Sequence, residues 1–175
     1  MSFASALPVG VTSNCEYVDL KMSADVDGCE ATAALNSVLP QGFRILDAVN
    51  VPDRSEALMS IVNTAQYEVR IRESVQGIEE KINGVLAHKE LLITVERKRK
   101  TQVKDIRDLI DALTYDPESN TVYLQCASGL KNNLRPMDIL PFLGLSLGDV
   151  LIHRTALLVK TASGDLLTPF DVIKG

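Results

Sequence analysis

Long apolar segments are absent from this sequence of 175 residues, and their absence excludes one class of protein. The longest apolar stretch, residues 139–152, is interrupted by two glycines, a proline and an aspartate. A helix that spans a membrane needs about 20 apolar residues, so we expect no membrane partner. No basic start precedes an apolar core near the N-terminus, so we expect no secretory signal either.

Cysteine is scarce, and its spacing excludes the common metal sites. Cys15, Cys29 and Cys126 are far apart, and neither a CxxC, a CxxxCxxC nor an HExxH pattern occurs. An iron–sulfur cluster normally needs several closely spaced thiolates, so we expect this chain to hold no cluster, metal or other cofactor. An odd number of scattered cysteines is also typical of a reducing cytoplasm rather than of a secreted disulfide framework.

Aromatic residues make up only 5% of the chain, and no RNP-type aromatic pair is present. Base stacking of the kind used by the common RNA-binding modules is therefore not evident. The apolar fraction of 46% and the charged fraction of 23% are ordinary for a globular protein. A chain of this length buries roughly 70% of its unfolded surface, which suffices for a core without disulfides or metal.

Charge is distributed unevenly along the chain. Residues 1–60 contain three basic and eight acidic residues, whereas the remainder is neutral. Within that remainder lies one dense basic run: Arg97, Lys98, Arg99, Lys100, then Lys104 and Arg107. The first four residues fall between two predicted strands, so a hairpin would carry them into solvent, where the phosphates of RNA are their natural partner. A solvated hairpin without a ligand is the alternative.

Hydrophobic periodicity predicts an α+β fold. Residues 65–160 follow the order strand, helix, three strands, helix and strand. The strands include 65–72, 102–110 and 150–160, and the helices cover 76–87 and 136–143. This order is a split βαβ arrangement with an inserted hairpin. Residues 2–51 predict strands over 2–7 and 16–22, a helix over 28–38 and a strand over 43–51. We therefore expect two ferredoxin-like subdomains, residues 1–54 and 55–175, of which the first lacks its opening strand and helix.

One candidate cleft lies in the N-terminal region. Gly10 and the backbone before Ser13 offer N–H groups that suit a phosphate, although a structural turn is the alternative. Asp19 is a candidate for binding a cation or a ribose, or else a solvated strand residue. Glu16 points away from Asp19 on the predicted strand, so the two carboxylates do not form an acid–base pair.

A second candidate cleft collects arginines. Asp105 and Arg107 are two residues apart, and a strand would place them on the same side. Arg135 and Arg154 would add guanidinium groups, whose forked donors suit phosphate or carboxylate. A structural ion pair with Asp105 is an equal alternative. No catalytic residue is assigned by these patterns.

Several short motifs follow one another along the chain. They are Ser2-Phe3-Ala4, Leu7-Pro8-Val9-Gly10, Thr12-Ser13, Glu16-Tyr17-Val18-Asp19-Leu20, Leu35-Asn36, Leu39-Pro40-Gln41-Gly42, Tyr67, Asp105-Ile106-Arg107 with Leu109-Ile110, Leu134-Arg135-Pro136, and Arg154. Together they resemble the bacterial radical SAM-linked domain of unknown function. Members of that family are fused to, or encoded beside, enzymes with cobalamin-binding and radical S-adenosylmethionine modules.

The resemblance implies an accessory role. It places S-adenosylmethionine, the iron–sulfur cluster and cobalamin in a partner enzyme, so this chain is not expected to be catalytic alone. With the basic run it favours engagement of RNA, such as tRNA or rRNA that is modified. An independent RNA-cleaving or RNA-modifying enzyme and a structural docking module are the alternatives. Family members begin earlier, so we also expect an N-terminally truncated domain. Its exposed sheet would form a dimer, swap elements with a second copy or be covered by the C-terminal segment.

Overall fold

The structure is a computed structural model that describes residues 1–97 and 100–174. It is an α+β protein whose main element is one mainly antiparallel sheet of six strands. The strands are β1 (Ser2–Phe3), β2 (Val11–Ser13), β3 (Val18–Asp19), β4 (Thr64–Ile71), β5 (Leu92–Arg97), β6 (Lys100–Asp105), β7 (Ile110–Asp116), β8 (Thr121–Ala127), β9 (Val150–Lys160) and β10 (Leu166–Leu167). The helices are α1 (Gly28–Val38), α2 (Leu58–Ile61), α3 (Ile78–Ala87) and α4 (Pro169–Lys174).

Strand β4 lies at the centre of the main sheet, whose order is β10-β9-β4-β8-β7. Its residues alternate between the two faces of the sheet, and Tyr67, Val69 and Ile71 are buried on one of them. Helix α3 covers that face with Ile78, Ile82 and Val85. The opposite face carries polar side chains and stays open to solvent, as is common for antiparallel sheets.

Strand β8 lies between β4 and β7, which are joined through α3. Between α3 and β7 the chain also forms a separate two-stranded hairpin from β5 and β6. The predicted strand over 102–110 is confirmed only as far as Asp105, where β6 ends, and is wrong beyond it, because a 3-10 turn over Arg107–Leu109 leads into β7. The predicted helix over 136–143 is likewise replaced by two 3-10 turns, 136–138 and 140–143.

The N-terminal strands do not share a sheet within the described chain. Strand β1 pairs with β3, whereas β2 pairs in parallel with β9 of the main sheet. The predicted strand over 43–51 is wrong, because this segment lies against α1 without β pairing. The Asn36 side chain exchanges two hydrogen bonds with the backbone of Ile45, and a Cβ on Gly28 would lie 2.5 Å from the Ala48 carbonyl oxygen.

Among the described helices, none has the length and apolar character that a membrane crossing requires.

Candidate nucleic-acid interface

The described part of the basic run lies on the β5–β6 hairpin, where Arg97 ends β5 and Lys100 begins β6. The strands pair from Leu92 with Asp105 at the base to Arg97 with Lys100 at the other end. Lys98 and Arg99, which are also part of the predicted site, lie outside the described residues. The hairpin belongs to a sheet of its own, so its tip is separate from the main sheet.

Asp105 fastens the base of this hairpin. One of its carboxylate oxygens accepts hydrogen bonds from the backbone N–H groups of Arg107, at 3.0 Å, and Leu91, at 2.8 Å. These bonds favour the charged form and lower the pKa of Asp105. The carboxylate predicted to anchor an arginine therefore binds backbone N–H groups and holds the hairpin on the domain.

A groove of about 430 Å³ separates the hairpin from the loop that follows β8. Lys104 and Arg135, both predicted as phosphate ligands, line this groove together with the carboxylates of Glu96 and Asp138. Ile93, Val95 and Val103 contribute apolar surface to it. The fold thus brings two residues that were predicted to bind phosphate, Lys104 and Arg135, into one groove beside the hairpin.

Both cations of the groove already have one protein partner. Lys104 Nζ donates to the Asn133 carbonyl oxygen at 2.9 Å. Arg135 donates to Asp138 through Nη2, at 2.6 Å, and through Nε, at 3.1 Å, and this pairing raises the pKa of Arg135. The Arg135 side chain is nevertheless 51% exposed. Since a guanidinium has five N–H donors, further donors remain for an anion in the groove.

Arg107, which was also predicted to bind phosphate, does not line this groove. It lies in the 3-10 turn after β6, and its Nη2 atom donates to the Leu86 carbonyl oxygen at 2.9 Å. Its Nε atom is buried without a hydrogen-bond partner among the described residues. This arginine contacts the end of α3, rather than extending a row of side chains along a strand with Asp105.

Arg154 is buried in the main sheet, with 1% of its surface exposed. Its Nη1 atom donates to both carboxylate oxygens of Glu16 at 3.0 Å, and its Nη2 atom donates to the Ala6 carbonyl oxygen at 2.9 Å. Its Nε atom donates to the Tyr67 hydroxyl at 3.2 Å, and burial raises the pKa of Tyr67. The arginine therefore fastens the N-terminal segment to the sheet and presents no surface to a phosphate.

With these contacts in place, comparison with known proteins gives one result. Residues 1–136 match the family described as an uncharacterized protein conserved in bacteria, DUF2344. The match spans more than half of the chain. The chain belongs to the DUF2344 family. No curated protein matches it.

The DUF2344 match covers the hairpin, Glu16 and every groove residue except Asp138, and it ends before β9 begins. Arg154, the partner of Glu16, therefore lies outside the matched residues. Glu16 was not predicted as a functional residue, because it forms no acid–base pair with Asp19. The available signal was the arginine at an otherwise apolar position of β9, since a buried guanidinium needs a carboxylate partner.

The N-terminal candidates of the DUF2344 chain contact different parts of the fold. Gly10 adopts a positive φ of 86° in an exposed turn. The Ser13 hydroxyl accepts from the Cys15 backbone N–H at 3.2 Å, and Asp19 accepts from the Leu58 N–H at 3.0 Å. Each group has a local structural partner. In the described part of the chain, no cluster of three or more His, Cys, Asp or Glu side chains is arranged to hold a metal ion.

Proposed function

We propose that this DUF2344 chain is the accessory, substrate-engaging domain of a cobalamin-dependent radical SAM enzyme, and that its substrate is RNA such as tRNA or rRNA. The observation that carries the proposal is the β5–β6 hairpin, whose strands contain basic residues of the run and whose groove is lined by Lys104 and Arg135. The partner enzyme would bind S-adenosylmethionine, the iron–sulfur cluster and cobalamin. This chain would position the RNA.

We also infer that residues 55–175 form a ferredoxin-like unit. The order β9-β4-β8-β7, with β4 and β7 joined by α3 around β8, supports a split βαβ arrangement. The 3-10 turns before β9 would take the place of its second helix. In this arrangement the hairpin is an insertion after the first helix, and such insertions are where a common fold acquires a specific function.

The charge distribution favours a contact between RNA and the basic hairpin alone. The whole chain has a net charge of −5, so it repels RNA except where cations are concentrated. Arg97, Lys98, Arg99 and Lys100 are adjacent in sequence, and Lys104 lies on the same hairpin. Concentrated cations release counterions when they bind phosphates, and this release drives binding.

The test is a salt titration of RNA binding. If three cations contact the phosphates of single-stranded RNA, the logarithm of the binding constant should fall against the logarithm of the salt concentration with a slope of about −2. Changing Arg97, Lys98 and Arg99 together to Ala should flatten that slope and should weaken binding to all RNA sequences by a similar factor. Stability should barely change, because exposed charges contribute little.

The matched control changes Lys21, Arg44 and Arg54 to Ala. These residues are exposed in the N-terminal region, and their replacement alters net charge by the same amount. We expect the control to retain both the affinity and the slope. Equal binding by the hairpin variant and the parent chain would remove the hairpin as the contact. No RNA binding by the chain together with its radical SAM enzyme would refute RNA as the substrate.

A docking module is a second candidate, and one observation favours it. Helix α1 has no buried residue, and Val38, Phe43 and Leu46 at its end and in the following segment are 71–77% exposed. Exposed apolar side chains this close together are typical of a protein-binding surface. Changing Phe43 and Leu46 to Asp should abolish co-purification with the radical SAM enzyme if this surface docks it, and should leave co-purification intact if it does not.

A further inference from the structure

The open face of the main sheet carries one continuous row of side chains across five strands. Thr12 of β2 pairs with His153 of β9, and His153 pairs with Glu68 of β4. Glu68 also pairs with Tyr123 of β8, which pairs with Thr114 of β7. Directly paired residues have Cβ atoms about 5 Å apart, so neighbours in this row are within contact distance.

Glu68 and Tyr123, at the centre of the row, have side chains that are available to a ligand. The Tyr123 side chain is 41% exposed, although β8 is flanked by strands on both sides. Within the described chain, neither Glu68 nor Tyr123 makes a side-chain hydrogen bond or ion pair. His153 is held at one end of the row by Thr12, with 2.8 Å between Thr12 Oγ1 and His153 Nδ1. A carboxylate therefore lies between an aromatic ring and an imidazole, facing solvent.

Such an arrangement matches an unpaired nucleobase. An exposed tyrosine ring on a sheet offers a stacking surface for a base, as in other single-strand RNA-binding proteins. A carboxylate beside that ring accepts hydrogen bonds only. Guanine presents two adjacent N–H donors on its Watson–Crick edge, whereas uracil flanks its single N–H with two carbonyl acceptors. The row therefore discriminates in favour of guanine.

Basic side chains continue the same surface. Arg70 lies two residues after Glu68 on β4, so it is on the same face of the sheet about 7 Å further along. Arg70 is exposed and, like Glu68, makes no side-chain hydrogen bond or ion pair within the described chain. Arg72 follows it and is also exposed. A nucleotide stacked on Tyr123 would have cations within reach of its phosphate.

We propose that Tyr123, Glu68 and His153 form a platform that binds an unpaired guanine of single-stranded RNA. The proposal rests on the proposed RNA function and adds a second contact to it. The hairpin holds phosphates without regard to sequence, and the platform selects the base. The platform residues would therefore determine the sequence preference of binding, and the hairpin cations would determine its salt dependence.

The experiment compares two fluorescently labelled probes on the full chain, a twelve-nucleotide oligouridine and the same oligomer with one central guanosine. We expect the guanosine probe to bind about tenfold more tightly. Tyr123→Ala should abolish that difference, and Glu68→Gln, which keeps only one acceptor oxygen, should reduce it. Tyr123→Phe should retain the difference because the ring still stacks. Glu118→Gln is the control, since it removes an equal charge from an exposed turn.

The outcomes separate the two proposals. Equal binding of both probes, or an undiminished guanosine preference in Tyr123→Ala and Glu68→Gln, overturns the platform. If in that case salt-dependent binding still requires the hairpin cations, the proposed RNA function stands. Absence of binding to either probe, with and without the partner enzyme, overturns both. Circular dichroism of each variant verifies that the sheet is intact, and unfolding of Glu68→Gln would leave Tyr123→Ala against Tyr123→Phe as the deciding pair.

Discussion

The ion pair between Arg154 and Glu16 provides the sharpest test of how the fold is held together. Arg154 is 1% exposed and the Glu16 side chain is 29% exposed. Removing one partner of a fully buried pair costs about 3–5 kcal/mol, because the remaining charge stays buried without compensation. Since Glu16 is partly solvated, water would replace some of the lost contact, and we expect Glu16→Ala to reduce the free energy of unfolding by about 2–3 kcal/mol.

That loss corresponds to a decrease in melting temperature of about 5–10 °C for a chain of this size. Urea unfolding followed by circular dichroism measures it. Glu16→Gln keeps one acceptor for the guanidinium and should cost about half as much. Amide exchange at Val11–Ser13 should also accelerate, because Arg154 joins the N-terminal segment to the sheet through Glu16 and the Ala6 carbonyl oxygen.

A double-mutant cycle isolates the pair. Arg154→Met removes the buried charge, so adding Glu16→Ala to it should cost less than about 0.5 kcal/mol. The reasoning is refuted if Glu16→Ala alone changes the free energy of unfolding by less than about 0.5 kcal/mol. It is equally refuted if the two substitutions are additive, because the carboxylate would then act independently of the guanidinium.

Two further predictions concern single groups. Burial raises the pKa of Cys126 to about 12, so a thiol reagent at pH 8 should modify the exposed Cys29 rapidly and Cys126 only after unfolding; equal rates in the folded chain would contradict its burial. Backbone hydrogen bonds lower the pKa of Asp105 in the folded state, so its stabilising effect is complete above the unfolded pKa of about 3.9 and is lost as pH falls through the folded value. Asp105→Asn should therefore flatten the acid limb of the stability–pH profile, and an unchanged limb would show that the carboxylate does not stabilise the hairpin.

Local patterns in the sequence were sufficient for the long elements around the core. Alternation over residues 65–72 and 150–160 predicted β4 and β9, and helical spacing over 76–87 predicted α3. These segments bury one face each, and burial of one face imposes a period of two on strands and 3.6 on helices. The basic run was predicted at a hairpin for a similar local reason, since adjacent cations avoid burial.

Tertiary structure alone decided where short or irregular segments go. The segment 43–51 has the composition of a strand, but the Asn36 side chain binds its backbone and no neighbouring strand reaches it. Strand β7 was missed because a bulge between Ile110 and Ala112 breaks its alternation, so that the buried residues Ile110 and Leu113 are three positions apart. Pairing of β2 with β9 joins residues about 140 positions apart, as does the contact between Glu16 and Arg154.

The row of side chains on the open face of the main sheet could not be predicted from the sequence either. Glu68, Tyr123 and His153 are ordinary residues at unrelated positions of the sequence, and none of the three belongs to the short motifs that carry the resemblance, whereas Thr12 does. They form a row only because the strand order and register bring β2, β9, β4 and β8 side by side. Alternation along each strand determined which face a side chain occupies, whereas long-range pairing determined which side chains became neighbours.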